Sequence, residues 1–250
     1  MKTHTTLVVP CFCESKRLPA FLPALCNQMQ ALNGVEILVV EDGSGRDEAA
    51  RIKSFVDSLR QNFSCLLPLL QLPSNLGKGG AVYAGWNQVT GAEWLGFVDA
   101  DGSCSASEVA RLIEMSRASL SASNLKTAIF ASRVKLLGRR VDRLFKRHLL
   151  GRVYATLVSE LLGVAVYDSQ CGLKLIPKVA YEAVADRLRI KGFAFDVELM
   201  VALLDTGYSI HEIPIDWSEV PGGKVKLFRD SWRMARDVLR IRSGRSAWRL

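Results

Sequence analysis

The sequence predicts an α/β fold, a doubly wound and largely parallel sheet flanked by helices. Three observations carry that reading. Short apolar runs suited to buried strands alternate with longer stretches of helical spacing through the first half of the chain. Polar clusters follow those runs, at the strand ends where open parallel sheets bind ligands. A chain of 250 residues, 49% of them hydrophobic, can also bury a core large enough for such a sheet.

Thr5 to Val9 reads as the first strand, stopped by Pro10, and Arg17 to Leu32 has helical spacing. Val35 to Val40 is the second strand, ending in Glu41-Asp42-Gly43-Ser44. Asp47 to Asn62 is helical, Leu66 to Leu72 a third strand, Gly79 to Val89 a helix, and Trp94 to Val98 a fourth strand. Ser107 to Ser119 is helical again and Thr127 to Ser132 extended. Phe12 and Glu14 then follow the first strand, Asp42 the second, Asn75 to Gly80 the third, and Asp99 and Asp101 the fourth. No internal repeat or low-complexity linker breaks the pattern.

Asp99-Ala100-Asp101 is the sharpest chemical signal. Two carboxylates two residues apart, emerging from a buried strand into a turn at Gly102, can share one divalent cation. Hard oxygen ligands suit Mg²⁺ or Mn²⁺, which keep positions open for substrate phosphates. Read alone, the same residues are a solvated turn. Lys78, in a glycine-rich turn, suits a phosphate or the capping of a loop.

Six cysteines, at positions 11, 13, 26, 65, 104 and 171, form no Cys-x-x-Cys pair, so neither a zinc site nor a disulfide framework is indicated. A reducing compartment fits. The first residues enter a strand almost at once and no apolar run reaches a bilayer span, so neither a signal peptide nor a transmembrane helix is expected.

The net charge of +8 is concentrated in two places. From Arg133 to Arg152 eight Lys/Arg oppose Asp142 alone, and from Lys224 to Leu250 nine oppose Asp230 and Asp237, which leaves the rest of the chain acidic. Apolar residues interleave with both: Leu136, Leu137, Val141, Leu144, Phe145 and Leu149 in the first, Trp232, Val238, Leu239, Ile241 and Trp248 in the second. Basic amphipathic segments of this kind lie on anionic lipid surfaces, or turn an apolar stripe to the core. Nucleic acid is not the expected partner, because the strand-end carboxylates would repel its phosphates.

Four segments, Val8-Val9-Pro10-Cys11-Phe12-Cys13-Glu14, Glu36 to Ser44, Asn75-Leu76-Gly77-Lys78-Gly79-Gly80-Ala81 and Val98 to Gly102, resemble in order and spacing the family-2 glycosyltransferases with the GT-A fold. Asp168-Ser169-Gln170-Cys171-Gly172-Leu173-Lys174-Leu175, Phe193 to Leu199 and Glu219 to Val225 are similar to the subgroup that makes polyprenyl-phosphate sugars, above all the dolichyl-phosphate β-glucosyltransferases. The resemblance runs from about residue 5 to 242. Three positions depart from it. Cys13 stands where the family usually has Asn, Glu41 precedes Asp42 where Asp is more common, and Gly223 replaces a frequent Ser before Lys224.

The resemblance implies an inverting transfer of a hexose, glucose from UDP-glucose first and mannose from GDP-mannose second, to a polyprenyl or dolichyl phosphate. It places Pro10, Phe12, Glu14 and Asp42 around base and ribose, Ala100 and Gln170 against the nucleotide sugar, and Lys224 over the diphosphate. Asp99 and Asp101 would hold Mg²⁺ or Mn²⁺. A lipid phosphate is already anionic near neutral pH and needs no strong general base, but it needs cations. Arg133 and Arg147 match the acceptor positions, with Arg143 and Lys174 as helpers. If the acceptor were instead a hydroxyl, Asp196 or Glu198 would serve as the base. Residues 1–222 are expected to form the catalytic domain, with 133–165 inserted as basic interfacial helices and acceptor region, and 223–250 a basic amphipathic tail. The protein is expected at the cytoplasmic face of a membrane, bound peripherally through these segments, through a membrane-protein partner or as a homo-oligomer.

Overall fold

The computed structural model describes residues 4–121, 126–222 and 227–248, without the side chains of 119–121, 145–147, 227–228 and 246–248. Lys224 therefore lies outside the described residues, as does the side chain of Arg147.

The first half follows the alternation in the sequence. β1 (Thr5–Cys11), α1 (Leu18–Ala31), β2 (Val35–Glu41), α2 (Arg46–Arg60), β3 (Leu70–Gln71), α3 (Lys78–Gln88), β4 (Trp94–Val98), α4 (Ala106–Ser121) and β5 (Thr127–Ser132) come in order. The second half adds β6 (Val141–Asp142), α5 (Phe145–Leu162), β7 (Leu173–Pro177), α6 (Lys178–Glu182), α7 (Phe195–Asp205), β8 (Ser209–Pro214), β9 (Trp217–Ser218) and α8 (Leu227–Trp248). Seven strands form one sheet in the order β3-β2-β1-β4-β7-β5-β8, and β6 pairs with β9 in a small second sheet. All neighbours in the large sheet run parallel except β7, which is antiparallel to both β4 and β5. The chain leaves β5 at its carboxyl end and re-enters the sheet from that same edge after α5, so the inserted strand must run the other way.

Alternate strand residues point to opposite faces and so build two cores. Leu7, Val9 and Cys11 of β1 pack with α1, α2 and α4, through side chains such as Leu22, Ile52 and Val109. Val8 packs with Trp86, Phe97, Tyr154, Phe195 and Val238 on the other face. α8 docks there by Met234, Val238 and Ile241, while Trp232 and Leu239 are exposed. The basic segment ahead of it divides likewise: Val141, Tyr154 and Val158 are buried, whereas Leu136, Leu137, Leu144, Leu149 and Val153 are exposed. Among the described residues no helix is long and apolar enough to cross a membrane.

Two strand boundaries differ from expectation, both at prolines. β1 continues through Pro10 to Cys11, because β4 pairs only with Thr5–Val8 and the missing Pro10 N–H therefore interrupts no ladder on that side. The third strand shrinks to Leu70–Gln71, with one further bridge between Ile37 and Leu66. Pro68 between those two contacts cannot donate, and the edge strand breaks there.

Candidate active site

The strand-end clusters converge on one cavity of about 830 Å³ at the carboxyl edge of the sheet. Pro10, Phe12, Glu14, Asp42, Lys78, Asp99, Ala100, Asp101, Arg133, Arg143 and Gln170, eleven of the residues singled out in the sequence, all line it.

Its acidic end is built from β4 and the start of α3. Asp99 and Asp101 follow Val98, and Lys78, the first residue of α3, places Nζ 2.7 Å from Asp99 Oδ1. The approach requires two glycines. A Cβ on Gly79 would lie 2.4 Å from Cβ of Phe195, so only glycine lets α3 close on α7. A Cβ on Gly172 would lie 2.0 Å from Asp99 Oδ2, so the chain entering β7 packs directly on that carboxylate. Burial alone would push Lys78 down, but Asp99 and Asp196 outweigh it and hold the ammonium above its ordinary pKa. Burial, and then the charge of Asp99, raises the Asp101 carboxyl. Asp101 Oδ1 accepts the Ser103 N–H at 3.0 Å, and Oδ2 lies 3.8 Å from Arg17.

Arg17 has no place in the sequence reading beyond opening a helix, yet it lines the cavity between Glu14 and Asp101. Its Nε donates to Glu14 Oε2 at 2.7 Å and a second nitrogen donates to Oε1. Hydrogen bonding to Glu14 is the main cause of its raised pKa. The signal was present in the Glu14-x-x-Arg17 spacing, which puts the pair one turn apart.

Asp42 secures the next loop. Oδ1 accepts from Leu76 N–H at 2.7 Å and Oδ2 from Gly77 N–H at 3.0 Å. Burial raises its pKa to about 6, against the pull of those two donors. Phe12 stands beside this loop, partly exposed at the cavity wall.

The opposite end is basic. Arg133, after β5, donates from Nε and a terminal nitrogen to both oxygens of Asp168 at 2.6 and 2.7 Å, and its guanidinium lies 5.2 Å from the Trp217 ring centre. Asp168 is oriented in turn by Glu212 of β8, which accepts its backbone N–H at 2.8 Å. Burial opposes both charges, but each outweighs it for the other: Arg133 is raised and Asp168 held well below the usual carboxylate range. Arg143 lines the same cavity and makes no ion pair with a described residue. Burial, with Arg133 nearby, lowers its pKa to about 10. Gln170 turns its amide toward Met234 Sδ, at 3.7 Å.

Two expectations are corrected. Lys174 was to help hold an acceptor, but it is fully buried: Nζ donates to the Cys171 carbonyl at 2.9 Å and lies 3.3 Å from Asp196 Oδ2, with the rings of Phe97 and Phe130 beside it. Glu198 is not among the residues lining the cavity, and its Oε2 accepts the N–H groups of Arg189 and Ile190 at 2.8 and 2.7 Å, so it is not placed as a base there. Asp196, two residues away on α7, does face the cavity.

Comparison with known proteins gives this arrangement its class. Residues 6–148 match the family model for Glycosyl transferase family 2. Dolichyl-phosphate beta-glucosyltransferase of Saccharomyces cerevisiae is 32% identical over 248 residues, covering 95% of this chain and 73% of that protein. The Mus musculus protein of the same name is 31% identical over 255 residues, covering 98% and 77%. Glucosyl-3-phosphoglycerate synthase from Mycobacterium tuberculosis, solved with uridine diphosphate, superposes with a TM-score of 0.68 at 13% identity over 96% of this chain and 80% of that one. The same protein with Mn²⁺, UDP and glucosyl-3-phosphoglycerate gives 0.67 at 14% identity over 97% and 80%. The chain belongs to glycosyl transferase family 2, and its fold is GT-A.

Proposed function

We propose that this protein moves glucose from UDP-glucose to the phosphate of dolichyl phosphate or a related polyprenyl phosphate, with inversion, at a membrane surface. The names of its relatives support the reaction. The observation that carries the acceptor is Arg143: a half-buried guanidinium, in the same cleft as the acidic pair and next to Arg133, that makes no ion pair with a described residue. Asp168 and Glu219 offset its burial only in part, and such a cation is costly unless a further anion completes it.

The roles follow from position. Pro10 and Phe12 offer a face to the base, and Glu14 and Asp42 offer acceptors to base N–H or ribose hydroxyls. Lys78 and Arg17, cations lining the same cavity as Ala100, would meet the diphosphate of the donor. Arg133, fixed by Asp168, and Arg143 hold the acceptor phosphate. Its second ionisation lies near ~6, so an oxygen is already anionic at neutral pH and attacks the anomeric carbon without a base. A bond forms from that oxygen to the carbon as the carbon–oxygen bond to UDP breaks, and no proton moves. Arg147 and Lys224 would act at the acceptor and over the diphosphate.

Asp99 and Asp101 fit a divalent cation. The described residues hold no cluster of three or more Asp, Glu, His or Cys side chains of metal-binding geometry, and Mg²⁺ or Mn²⁺ is commonly held by one or two carboxylates with substrate phosphates as further ligands. Asp101, raised by burial beside Asp99, gains from a cation there. When bound, the ion supplies a Lewis acid for charge developing on the leaving diphosphate.

Exposed Leu136, Leu137, Leu144, Leu149 and Val153 border Arg143 in sequence, with Arg140 and Arg152 among them, which supports peripheral contact with an anionic membrane surface. The test is radiolabelled sugar transfer into the organic phase, offered dolichyl phosphate, dolichol, and dolichyl phosphate with GDP-mannose as donor. Label carried from UDP-glucose to dolichyl phosphate alone supports the proposal; transfer to dolichol overturns the acceptor and use of GDP-mannose overturns the donor.

A further inference from the structure

Two polar atoms in the cleft belong to none of the roles above. Asp196 is 2% exposed and Tyr154 8%, and both side chains line the cavity. Asp196 Oδ2 lies 3.3 Å from the buried Lys174 ammonium, but Oδ1 accepts no hydrogen bond among the described residues. The Tyr154 hydroxyl, arriving from α5 on the other wall, likewise has no hydrogen-bond partner among them. The two are near enough that the Asp196 charge raises the Tyr154 pKa further, after burial. Buried polar atoms are nearly always paired, so two orphans facing one cavity mark groups that a ligand completes.

The chemistry of the pair is specific. Burial raises the Asp196 carboxyl against the pull of Lys174 and Lys78, and in either form it suits a hydroxyl, accepting when ionised and donating when protonated. The Tyr154 hydroxyl can donate or accept. Lys174 is fixed between Phe97 and Phe130, so Oδ2 is held and Oδ1 is left to point at a ligand. Arg133 and Arg143 account for the anion, Asp99 and Asp101 for the metal side, and Glu198 is occupied. What remains to be bound between the acidic and basic ends is a neutral, hydroxyl-rich group.

We propose that Asp196 Oδ1 and the Tyr154 hydroxyl form the hydroxyl-reading wall of the sugar subsite, bonding hydroxyl groups of the donor hexose and selecting which hexose is transferred. This deepens the reading of the cleft as a nucleotide-sugar site and rests on it. Asp196 is then a sugar ligand, and no proton passes to it.

The experiment measures affinity without acceptor, so no variant has to turn over. Wild type, Asp196→Asn and Tyr154→Phe are titrated with UDP, UDP-glucose and the four UDP-deoxyglucoses lacking the 2-, 3-, 4- or 6-hydroxyl. In wild type the analogue lacking a hydroxyl bonded to Asp196 or Tyr154 binds about 10- to 100-fold more weakly than UDP-glucose. That penalty falls to about threefold or less in the variant that has lost its partner, and UDP affinity stays the same in all three proteins. Tyr154→Phe removes a single oxygen and retains the packing, so a poorly folded Asp196→Asn does not rescue or sink the result. Deoxy penalties equal to wild type in both variants overturn the inference alone and leave the reading of the cleft standing. A wild type that binds neither UDP nor UDP-glucose overturns the reading of the cleft, and this inference with it.

Discussion

Lys78 Nζ stands 2.7 Å from Asp99 Oδ1, joining the first residue of α3 to the residue after β4 in the wall of the cleft. The contact places a cation and the acidic pair on the same side of the cavity, opposite in charge to the arginine end. Asp99→Asn or Asp101→Asn should lower metal-dependent transfer by about 100-fold or more, since a lost cation forfeits several kcal/mol of charge stabilisation. Circular dichroism should find both variants folded. Wild-type rates in either variant, measured with and without EDTA, would remove the metal from the account.

Asp42 gives a pH dependence of stability. It ionises at 3.8 in an ordinary setting and at about 6 in the fold, because burial disfavours the charge. The folded form therefore keeps a proton that the unfolded chain releases, and the contribution present below pH 3.8 is lost as pH rises to about 6. Urea denaturation across that interval should find wild type losing stability relative to Asp42→Asn. Parallel curves would contradict the assignment.

Cys13 has φ of 53°, in the left-handed region, while its N–H donates to Ser44 Oγ at 2.7 Å. Asn tolerates that conformation and is the residue its family usually carries there. Cys13→Asn should stabilise the protein by about 1 kcal/mol, or roughly 2–4 °C in Tm for a chain of this size. A lower Tm would count against backbone strain at this turn.

Much of this site was legible before the fold. In a parallel α/β sheet the loops after the strands share one edge, so Phe12, Asp42, Lys78 and Asp99 could be placed together from strand order alone. Pairings made across the second half could not. Arg133 and Asp168 are 35 residues apart, and nothing local couples them. The reversal of β7 follows from where the chain re-enters the sheet, which no periodicity encodes. Lys174 was misplaced for a different reason: it sits in the middle of a strand buried throughout, where a lysine has to be paired beneath the surface. Asp196, its partner, was present in the sequence as one of two candidate bases; in the fold it lines the cavity, while Glu198 does not and is held by two backbone N–H groups.

The exposed leucines between residues 136 and 153, with the exposed Arg140 and the half-buried Arg139 and Arg152 among them, predict salt-sensitive binding to membranes. Co-sedimentation with anionic vesicles should fall as salt rises, each Lys/Arg near the surface contributing about 1 kcal/mol that screening removes. Leu137→Asp with Leu149→Asp should weaken binding at low salt. Equal binding to neutral vesicles would leave the segment as a solvated face.

The central claim is that one cleft holds a nucleotide sugar at its acidic end and a lipid phosphate at Arg133 and Arg143. Steady-state kinetics of Arg143→Ala with UDP-glucose and dolichyl phosphate test it most directly. Because Arg143 makes no ion pair with a described residue and is lowered to about 10 by burial, the substitution should leave Tm unchanged or raised. KM for dolichyl phosphate should rise by about 10-fold or more, the worth of a charge-assisted hydrogen bond, while KM for UDP-glucose stays within about twofold. A rise confined to KM for UDP-glucose, with dolichyl phosphate bound as in wild type, would contradict the account.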